Sequence, residues 1–190
     1  MADETRDLSA VRVLFLATDG FEEAELFEPR QALLDAGAQV TLASITADPI
    51  QGVIHDSEKG KAITPDLTLD QVDVEDYDAL VLPGGVGNPD KLRLEDRAVE
   101  IVEEFMDDDK IVAAICHAPW LLVEADVVDG RRVTSWPSVR TDLENAGADV
   151  ADEEVVVDDN LITSRKPDDI PAFNRAVIAA LAEAVAAEDA

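Results

Sequence analysis

The sequence predicts an α/β domain in which helices cover both faces of a mostly parallel central sheet. Apolar stretches typical of buried strands alternate with helical patterns along the chain, which is the order that a parallel sheet requires. A length of 190 residues and a hydrophobic content of 47% suit one domain with a sizeable core. We expect a single domain over residues 11–190, preceded by an acidic N-terminal extension over residues 1–10.

The first half of the chain predicts three buried strands, two helices and one hairpin. The strands are at 11–17, 39–44 and 79–82, and the helices are at 25–36, where Gly37 supplies the C-cap, and at 97–106. Apolar patches at 52–55 and 61–64 are separated by charged, turn-rich residues. Segment 49–69 is therefore predicted to leave the sheet as a hairpin.

The second half continues the same alternation. It predicts a strand at 111–115, a helix at 119–125, a strand beginning at 132–134, a helix at 139–146 ended by Gly147, and a hairpin from 154–157 and 161–164. The last element is a helix over 168–187 with Pro171 in its first turn, where proline is tolerated. No second domain is indicated.

The net charge of −28 excludes two classes of partner. Nucleic acids and anionic membranes bind through clusters of lysine and arginine, and this chain has no basic run longer than a pair such as Arg131-Arg132. The acidic residues are spread between apolar runs, as on a solvated surface. This composition resembles that of proteins from halophilic archaea, so we expect the fold to need concentrated salt.

The expected location is the cytoplasm. The acidic N-terminus lacks the basic and apolar regions of a signal peptide, and we expect no stretch to be apolar enough to span a bilayer. One cysteine cannot form an intramolecular disulfide, which agrees with a reducing compartment.

The single cysteine, Cys116, is the predicted nucleophile. It lies between the strand at 111–115 and a helix that begins near Ala118, which is where an α/β enzyme presents a nucleophile. We expect the helix dipole and the adjacent His117 to lower the pKa of the thiol. The alternative is that Cys116 packs as a small buried hydrophobic residue.

The histidines narrow the class of enzyme, because the chain has only His55 and His117. Papain-like proteases, α/β-hydrolases and glutamine amidotransferases need a histidine well downstream of the nucleophile, so all three mechanisms are excluded. His117 is predicted to act in catalysis or orientation, with helix capping as the alternative. His55 is predicted to be an exposed loop residue.

Two further segments complete the predicted site. Segment 83–87 contains Gly84 and Gly85 after a buried strand, where backbone N–H groups can approach an oxyanion. Acidic segment 19–25 follows the first strand and could supply a carboxylate to the thiol, although spacing alone selects none. No metal or organic cofactor is expected, since one cysteine and two histidines make a poor zinc site and no glycine fingerprint follows the first strand.

The chain resembles the PfpI family of intracellular cysteine peptidases and their deglycase relatives. The similarity runs from residue 11 to about 181 and is carried by DGFEEAELFEP at 19–29, ALVLPGGVGNPDKLR at 79–93, AAICHAPWLL at 113–122, GRRVTSWPSVRTDLENAGA at 130–148, EEVVVDDNLITSR at 153–165 and PDDIPAFNRAVI at 167–178. The resemblance implies a flavodoxin-like three-layer sandwich of the class I glutamine amidotransferase-like type. It also implies a homo-oligomer that is built from dimers, with a trimer or a hexamer as the options.

The resemblance assigns roles to particular residues. It implies Cys116 as nucleophile with His117 beside it, and Glu25 as the carboxylate that hydrogen-bonds the thiol, with Glu22 as second candidate. The backbone of Gly85 would form part of the oxyanion site.

Three positions depart from the family pattern. Asp90 matches a glutamate that completes a triad from a neighbouring subunit, Ala118 replaces a glycine, and Trp136 replaces a tyrosine of the substrate pocket.

We therefore predict a cysteine-dependent hydrolase. The thiolate would form a thioester with a peptide, or a hemithioacetal with a small carbonyl or glycated substrate, and the resemblance places peptidase chemistry ahead of deglycase or glyoxalase chemistry. One alternative is a redox-sensing or chaperone-like stress protein whose Cys116 is reversibly oxidised. Another is a small-molecule binding module with an inert thiol.

Overall fold

A seven-stranded sheet forms the centre of the molecule, whose computed structural model describes residues 7–188. Its strands are β1 (Arg12–Leu16), β2 (Gln39–Ser44), β5 (Leu67–Thr68), β6 (Ala79–Leu82), β7 (Ile111–Ile115), β10 (Val155–Asp158) and β11 (Leu161–Ser164). The spatial order is β10-β11-β7-β6-β1-β2-β5, and every neighbouring pair is parallel except β10 with β11. The predicted mostly parallel sheet is confirmed.

Helices cover both faces of this sheet. Helices α1 (Glu23–Asp35) and α6 (Ile170–Glu188) pack on one face, and the other face carries α2 (Gly87–Leu92), α3 (Asp96–Asp107), α4 (Pro119–Glu124) and α5 (Arg140–Asn145). The result is a three-layer sandwich of the flavodoxin-like type, as predicted.

Side-chain alternation along the strands divides the core into two halves. In β1, Leu14 and Leu16 contribute to the core under α3 and α4, whereas Val13 and Phe15 contribute to the core under α1 and α6. All four side chains are fully buried. A strand that is buried on both faces has a continuous apolar sequence, which explains why the central strands could be recognised.

Two small sheets lie outside the central one. The predicted hairpin is present as β3 (Ile50–Ile54) and β4 (Glu58–Ile63), which pair antiparallel. Strand β8 (Arg132–Val133) pairs in parallel with β9 (Asp149–Val150). Sequence patterns missed α2, β5 and β9, because two-residue strands and a six-residue helix are too short to show a period.

The N-terminal segment is partly integrated into the domain. Leu8 is fully buried, and its N–H donates to the carbonyl oxygen of Ala36 at 3.1 Å. The packed structure therefore begins within the predicted extension of residues 1–10, whose first six residues lie outside the described residues, as do 189 and 190.

Helix α6 contradicts the expectation that no stretch is apolar enough to span a bilayer. By length and composition alone, Pro167–Ala187 could cross a membrane, with a mean hydropathy of 1.4. However, Ile170, Phe173, Val177 and Leu181 are buried in the core under α1 and α6. A helix that covers a sheet needs such an apolar face, so its composition is explained by packing.

Candidate active site

The crevice lies at the carboxyl ends of three adjacent strands, β1, β6 and β7, where ligands bind in open α/β sheets. Cys116 directly follows β7 and has a φ of 65°, a left-handed conformation that is strained for a residue with a side chain. Its N–H donates to the Ser164 carbonyl at 3.0 Å, and its carbonyl accepts from the Trp136 N–H at 2.9 Å. These bonds hold the strained elbow from both sides.

This elbow brings the thiol and the next side chain together. The Sγ atom of Cys116 lies 3.2 Å from Nδ1 of His117, although neighbouring side chains do not meet in regular secondary structure. Both residues are buried, with exposures of 5% and 4%. The thiol can therefore exchange a proton with the imidazole without an intervening water.

Glu25 supplies the carboxyl group nearest to the thiol. It is fully buried in the first turn of α1, and its Oε2 accepts a hydrogen bond from the Gly84 N–H at 2.8 Å. Its Oε1 is buried without a hydrogen-bond partner in the described residues, and the carboxyl interacts with the Cys116 thiol. Burial raises the pKa of Glu25 to about 8, so the carboxyl holds a proton at neutral pH.

The expected lowering of the thiol pKa is wrong in direction. Burial, followed by the charge of the nearby Glu25 carboxylate, raises the pKa of Cys116 above that of a free cysteine. Burial also lowers the pKa of His117, so its ring is neutral at pH 7 and gives no imidazolium to stabilise a thiolate. The short helix α4 has only six residues and cannot reverse these effects.

Two backbone N–H groups favour the negative sulfur. The N–H groups of Gly85 and His117 both donate toward Cys116, and both lower the pKa of the thiol. The same groups are available to a substrate oxyanion once sulfur has attacked. Gly84, which was also predicted for this role, is excluded because its N–H is already bound to Glu25.

The two glycines are required by close approach of other atoms. A Cβ on Gly84 would lie 2.5 Å from Oε2 of Glu25 and 2.7 Å from the Cβ of Cys116. Gly85 has a φ of 81°, and a Cβ there would collide with the carbonyl oxygen of Gly20. Neither position can accept a side chain without moving the backbone that contacts the sulfur.

Glu22, the second predicted partner of the thiol, contacts the β3–β4 hairpin instead. It is only 5% exposed, and its carboxylate accepts hydrogen bonds from the backbone N–H groups of His55 and Asp56 at the tip of the β3–β4 hairpin. Burial raises the pKa of Glu22. His55 is exposed, as predicted.

Aromatic rings enclose the imidazole. The ring of Trp136 stacks on His117 with centroids 5.6 Å apart, which places this predicted pocket residue at the site. The ring of Trp120 lies 5.2 Å away and is held by a hydrogen bond from its Nε1 to Asp142 at 2.8 Å. On the solvent side, Ser138 Oγ is 3.4 Å from Nε2 of His117.

Residues 11–180 match the family described as the DJ-1/PfpI family. The chain belongs to the DJ-1/PfpI family. General stress protein 18 of Bacillus subtilis is 46% identical over 172 residues, which cover 90% of this chain and 97% of that protein. Protein/nucleic acid deglycase 2 of Escherichia coli is 44% identical over 166 residues, covering 86% and 94%. The crystal structure of Drosophila melanogaster DJ-1beta, at 31% identity, has a TM-score of 0.82 and covers 90% of each chain.

In this DJ-1/PfpI chain one predicted site residue, Asp90, does not join the others at the thiol. Asp90 is exposed on α2 and has no side-chain contact to His117 within the described chain. Among residues 7–188 no group of three histidine, cysteine or acidic side chains is arranged to hold a metal ion.

Sequence reasoning missed Asn88, which is fully buried and organises the crevice. Its Oδ1 accepts from the Thr18 N–H at 2.8 Å, and its Nδ2 donates to the carbonyls of Pro83 and Gly84. Its place within GGVGN, directly after the glycine turn, was the available signal.

Proposed function

We propose that the chain is a cysteine-dependent hydrolase of small carbonyl compounds and glycated groups, with Cys116 as nucleophile. The observation that supports this most strongly is the position of Sγ, which is in reach of His117, beside the protonated Glu25 and approached by two backbone N–H groups. This set contains a nucleophile, a base, an acid and an oxyanion site.

The chemistry follows from where the protons lie. His117, neutral at pH 7, takes the thiol proton while sulfur bonds to the carbonyl carbon and the C=O π bond breaks. The oxyanion is held by the N–H groups of Gly85 and His117 and takes a proton from Glu25 to give a hemithioacetal. With methylglyoxal, the C–H proton of the hemithioacetal carbon moves to the neighbouring carbonyl carbon, and the hydroxyl proton moves to the oxygen of that carbonyl, which gives a lactoyl thioester. Water then hydrolyses the thioester, which releases lactate and restores the thiol. No oxidant or reductant is needed.

The burial of the sulfur favours a small substrate over a peptide. Cys116 is 5% exposed, and Trp136 and Trp120 flank the imidazole beside it. A small carbonyl compound needs less room beside these rings than a peptide backbone does. We therefore place deglycase or glyoxalase chemistry ahead of the peptidase chemistry that the resemblance favoured, and the relative named as a deglycase supports this order.

We also propose that the enzyme works as a homo-oligomer in the cytoplasm. Asp90 is exposed on α2 beside Val86 and Leu94, which are 40% and 79% exposed. A second copy that covers these apolar side chains would bring an Asp90 carboxylate against another crevice. Loss of activity on dilution, together with a smaller particle by light scattering, is the expected outcome of dissociation.

The test combines thiol reactivity with turnover. Iodoacetamide alkylation of the single cysteine is measured against pH, with a denatured control. Turnover is measured as lactate formation from methylglyoxal and as release of N-acetylarginine from its methylglyoxal adduct. We expect Cys116→Ser to abolish turnover while the fold is retained. Because burial raises the pKa of Cys116, we expect native alkylation to be slower than in the denatured control. Turnover that persists unchanged in Cys116→Ser, or no turnover of either substrate by the wild type, would refute the proposal.

A redox-sensing function is the second candidate, favoured by the relative named General stress protein 18 and by the N–H groups of Gly85 and His117 that point at sulfur. These donors would also bind the oxygens of a sulfinate. Peroxide titration followed by intact-mass measurement distinguishes the two candidates. Stoichiometric oxygen addition at Cys116 without methylglyoxal turnover supports the sensor.

A further inference from the structure

Segment 136–139 lies against the imidazole of His117 and is hydrogen-bonded to the elbow through its backbone. The Trp136 N–H donates to the Cys116 carbonyl at 2.9 Å, so the segment begins directly beside the nucleophile. Residues Pro137–Val139 form a one-turn 3₁₀ helix, which is closed by the Val139 N–H donating to the Trp136 carbonyl at 3.0 Å. Main-chain hydrogen bonds therefore set the position of this turn relative to His117.

Two side chains of the segment contact different parts of the imidazole. The Trp136 ring stacks on its face, with an angle of 25° between the two ring planes. The Ser138 hydroxyl lies at its edge, with Oγ 3.4 Å from Nε2, while Nδ1 faces Sγ of Cys116 at 3.2 Å. Each ring nitrogen of His117 thus has one side-chain partner, and the stacked indole restrains the ring in that orientation.

The ability of His117 to act as a base depends on which ring nitrogen carries its proton. Burial lowers the pKa of His117, so the ring is neutral at pH 7 and has a single N–H group. A bare Nδ1 can accept the proton of the Cys116 thiol, whereas an Nδ1–H cannot. The base therefore requires the proton on Nε2, the nitrogen that faces Ser138.

The hydrogen bonds around the sulfur favour the same arrangement. The backbone N–H groups of Gly85 and His117 donate toward Cys116, and the protonated Glu25 carboxyl interacts with it. Sulfur is a weak acceptor, so an Nδ1–H would add a further donor to an atom that already faces several. A bare Nδ1 instead gives the S–H group an acceptor.

We propose that Ser138 is a positioning residue whose hydroxyl oxygen accepts the Nε2–H of His117 and thereby keeps Nδ1 free to take the thiol proton. The inference rests on the proposed function, since it concerns the base of that site. The same oxygen can also accept from the imidazolium that forms when the proton moves, so the hydrogen bond is kept during the reaction. The resemblance assigns Asp90 a role from a neighbouring subunit, whereas Ser138 supplies an acceptor within the same chain.

The chemical shifts of the histidine ring nitrogens test the proposal directly, because a protonated nitrogen and a bare one have different NMR shifts. The chain has only two histidines, and His55→Gln identifies the signals of His117. We expect wild type to carry the proton on Nε2, and Ser138→Ala to give a mixture of both tautomers. The position is exposed, so the fold should be retained.

Three further variants sharpen this measurement. Ser138→Thr keeps a hydroxyl group and should keep the wild-type tautomer. A hydroxyl can also donate to a bare Nε2, whereas a carboxylate can only accept, so Ser138→Asp should keep the Nε2–H only if the oxygen of Ser138 is the acceptor. The control Thr141→Ala removes an exposed hydroxyl from α5 and should leave the His117 shifts unchanged.

Turnover provides the second readout. Ser138→Ala should lower kcat for methylglyoxal by about tenfold, which is the scale of one lost hydrogen bond, and should leave KM little changed. Ser138→Thr should restore kcat, because the hydroxyl rather than the size of the side chain carries the effect.

Four results would decide the assignment. An Nδ1–H tautomer in wild type overturns it, and so does a tautomer that is the same in wild type and Ser138→Ala. It is also overturned if Asp90→Asn, and not Ser138→Ala, changes the tautomer, because the acceptor would then come from a neighbouring subunit. If the tautomers behave as expected but neither wild type nor any variant turns over methylglyoxal or the arginine adduct, the assignment of Ser138 stands and the proposed function fails.

Discussion

At the scale of single residues, the site is governed by two buried acids, Glu25 and Cys116, whose ionised forms burial disfavours. Both groups are buried, and burial raises the pKa of each. Two adjacent anions in a low-dielectric site repel each other, so the pair ionises as a unit. When Glu25 holds the proton, its O–H can bind a thiolate and satisfy Oε1, which otherwise has no hydrogen-bond partner in the described chain.

The buried Glu25 carboxyl should reduce stability as pH rises. Its pKa of about 8 in the folded state lies above the unfolded value of 4.5, so the folded state holds a proton that the unfolded state has released. Its contribution is complete below pH 4.5 and is lost as pH rises toward 8. We expect Glu25→Gln to increase the free energy of unfolding relative to wild type by roughly 3 kcal/mol at pH 7 and by little at pH 4.5.

Urea unfolding of wild type and Glu25→Gln across this pH range measures the difference. Glu28→Gln is the matched control, because Glu28 is exposed on the same helix and should give a difference near zero at every pH. A Glu25→Gln difference that does not change between pH 4.5 and 8 would mean that Glu25 is ionised in the folded state. The assignment of a protonated Glu25 as the acid in the proposed reaction would then be wrong.

The sequence was enough to predict which residues form the site, but it did not predict their pKa shifts. Cys116 was recognisable because it ends an apolar strand and is followed by histidine. The direction in which the pKa of Cys116 shifts could not be predicted from local sequence. Burial and the nearby Glu25 raise this pKa, and both depend on how α1 packs against the elbow. Glu25 was selected by resemblance, since spacing in so acidic a chain does not distinguish one carboxylate from another.

At the scale of elements, success depended on length and burial. Strands β6 and β7 were predicted with the observed bounds, because both are continuous apolar runs. Helix α2 was missed, since its sequence GNPDKL contains glycine, asparagine and proline, which are poor helix formers. What holds α2 in place is a tertiary contact, the buried amide of Asn88, and no periodic pattern reports it.

Removing that amide should loosen three elements at once. In Asn88→Ala the buried N–H of Thr18 loses its acceptor, and the carbonyls of Pro83 and Gly84 lose a donor. An unsatisfied buried donor costs about 1–3 kcal/mol, so we expect the free energy of unfolding to fall by about 3 kcal/mol. Turnover should fall as well, because the Gly84-Gly85 loop is no longer held under the sulfur.

Urea unfolding and methylglyoxal turnover at a temperature where the variant is folded would measure both effects. Asn145→Ala, at an exposed position at the end of α5, should change neither quantity appreciably. Unchanged stability in Asn88→Ala would show that the loop and α2 are held by their packing alone.

At the scale of the whole molecule, charge is the dominant feature. The chain has 43 acidic and 15 basic residues, so one-to-one pairing leaves at least 28 carboxylates without a basic partner. The ion pairs that do form lie mostly at the surface, such as Arg132 with Glu153, each half-exposed. Exposed pairs of this kind contribute little to stability, and the net repulsion acts against the compact state.

This repulsion makes the stability of the fold depend on salt. The Debye length is about 10 Å at 0.1 M and about 3 Å at 1 M salt, so molar KCl screens carboxylates that repel one another in dilute buffer. We expect the Tm followed by far-UV circular dichroism to rise by on the order of 10 °C between 0.1 and 2 M KCl, which corresponds to a few kcal/mol for a domain of this size. Glycine betaine at equal osmolality is the control, because it is excluded from protein surfaces but screens no charge, and it should raise the Tm less. A cooperative melt at the same temperature in dilute buffer and in molar KCl would show that solvation of the acidic surface, rather than screening, keeps this charge compatible with a folded chain.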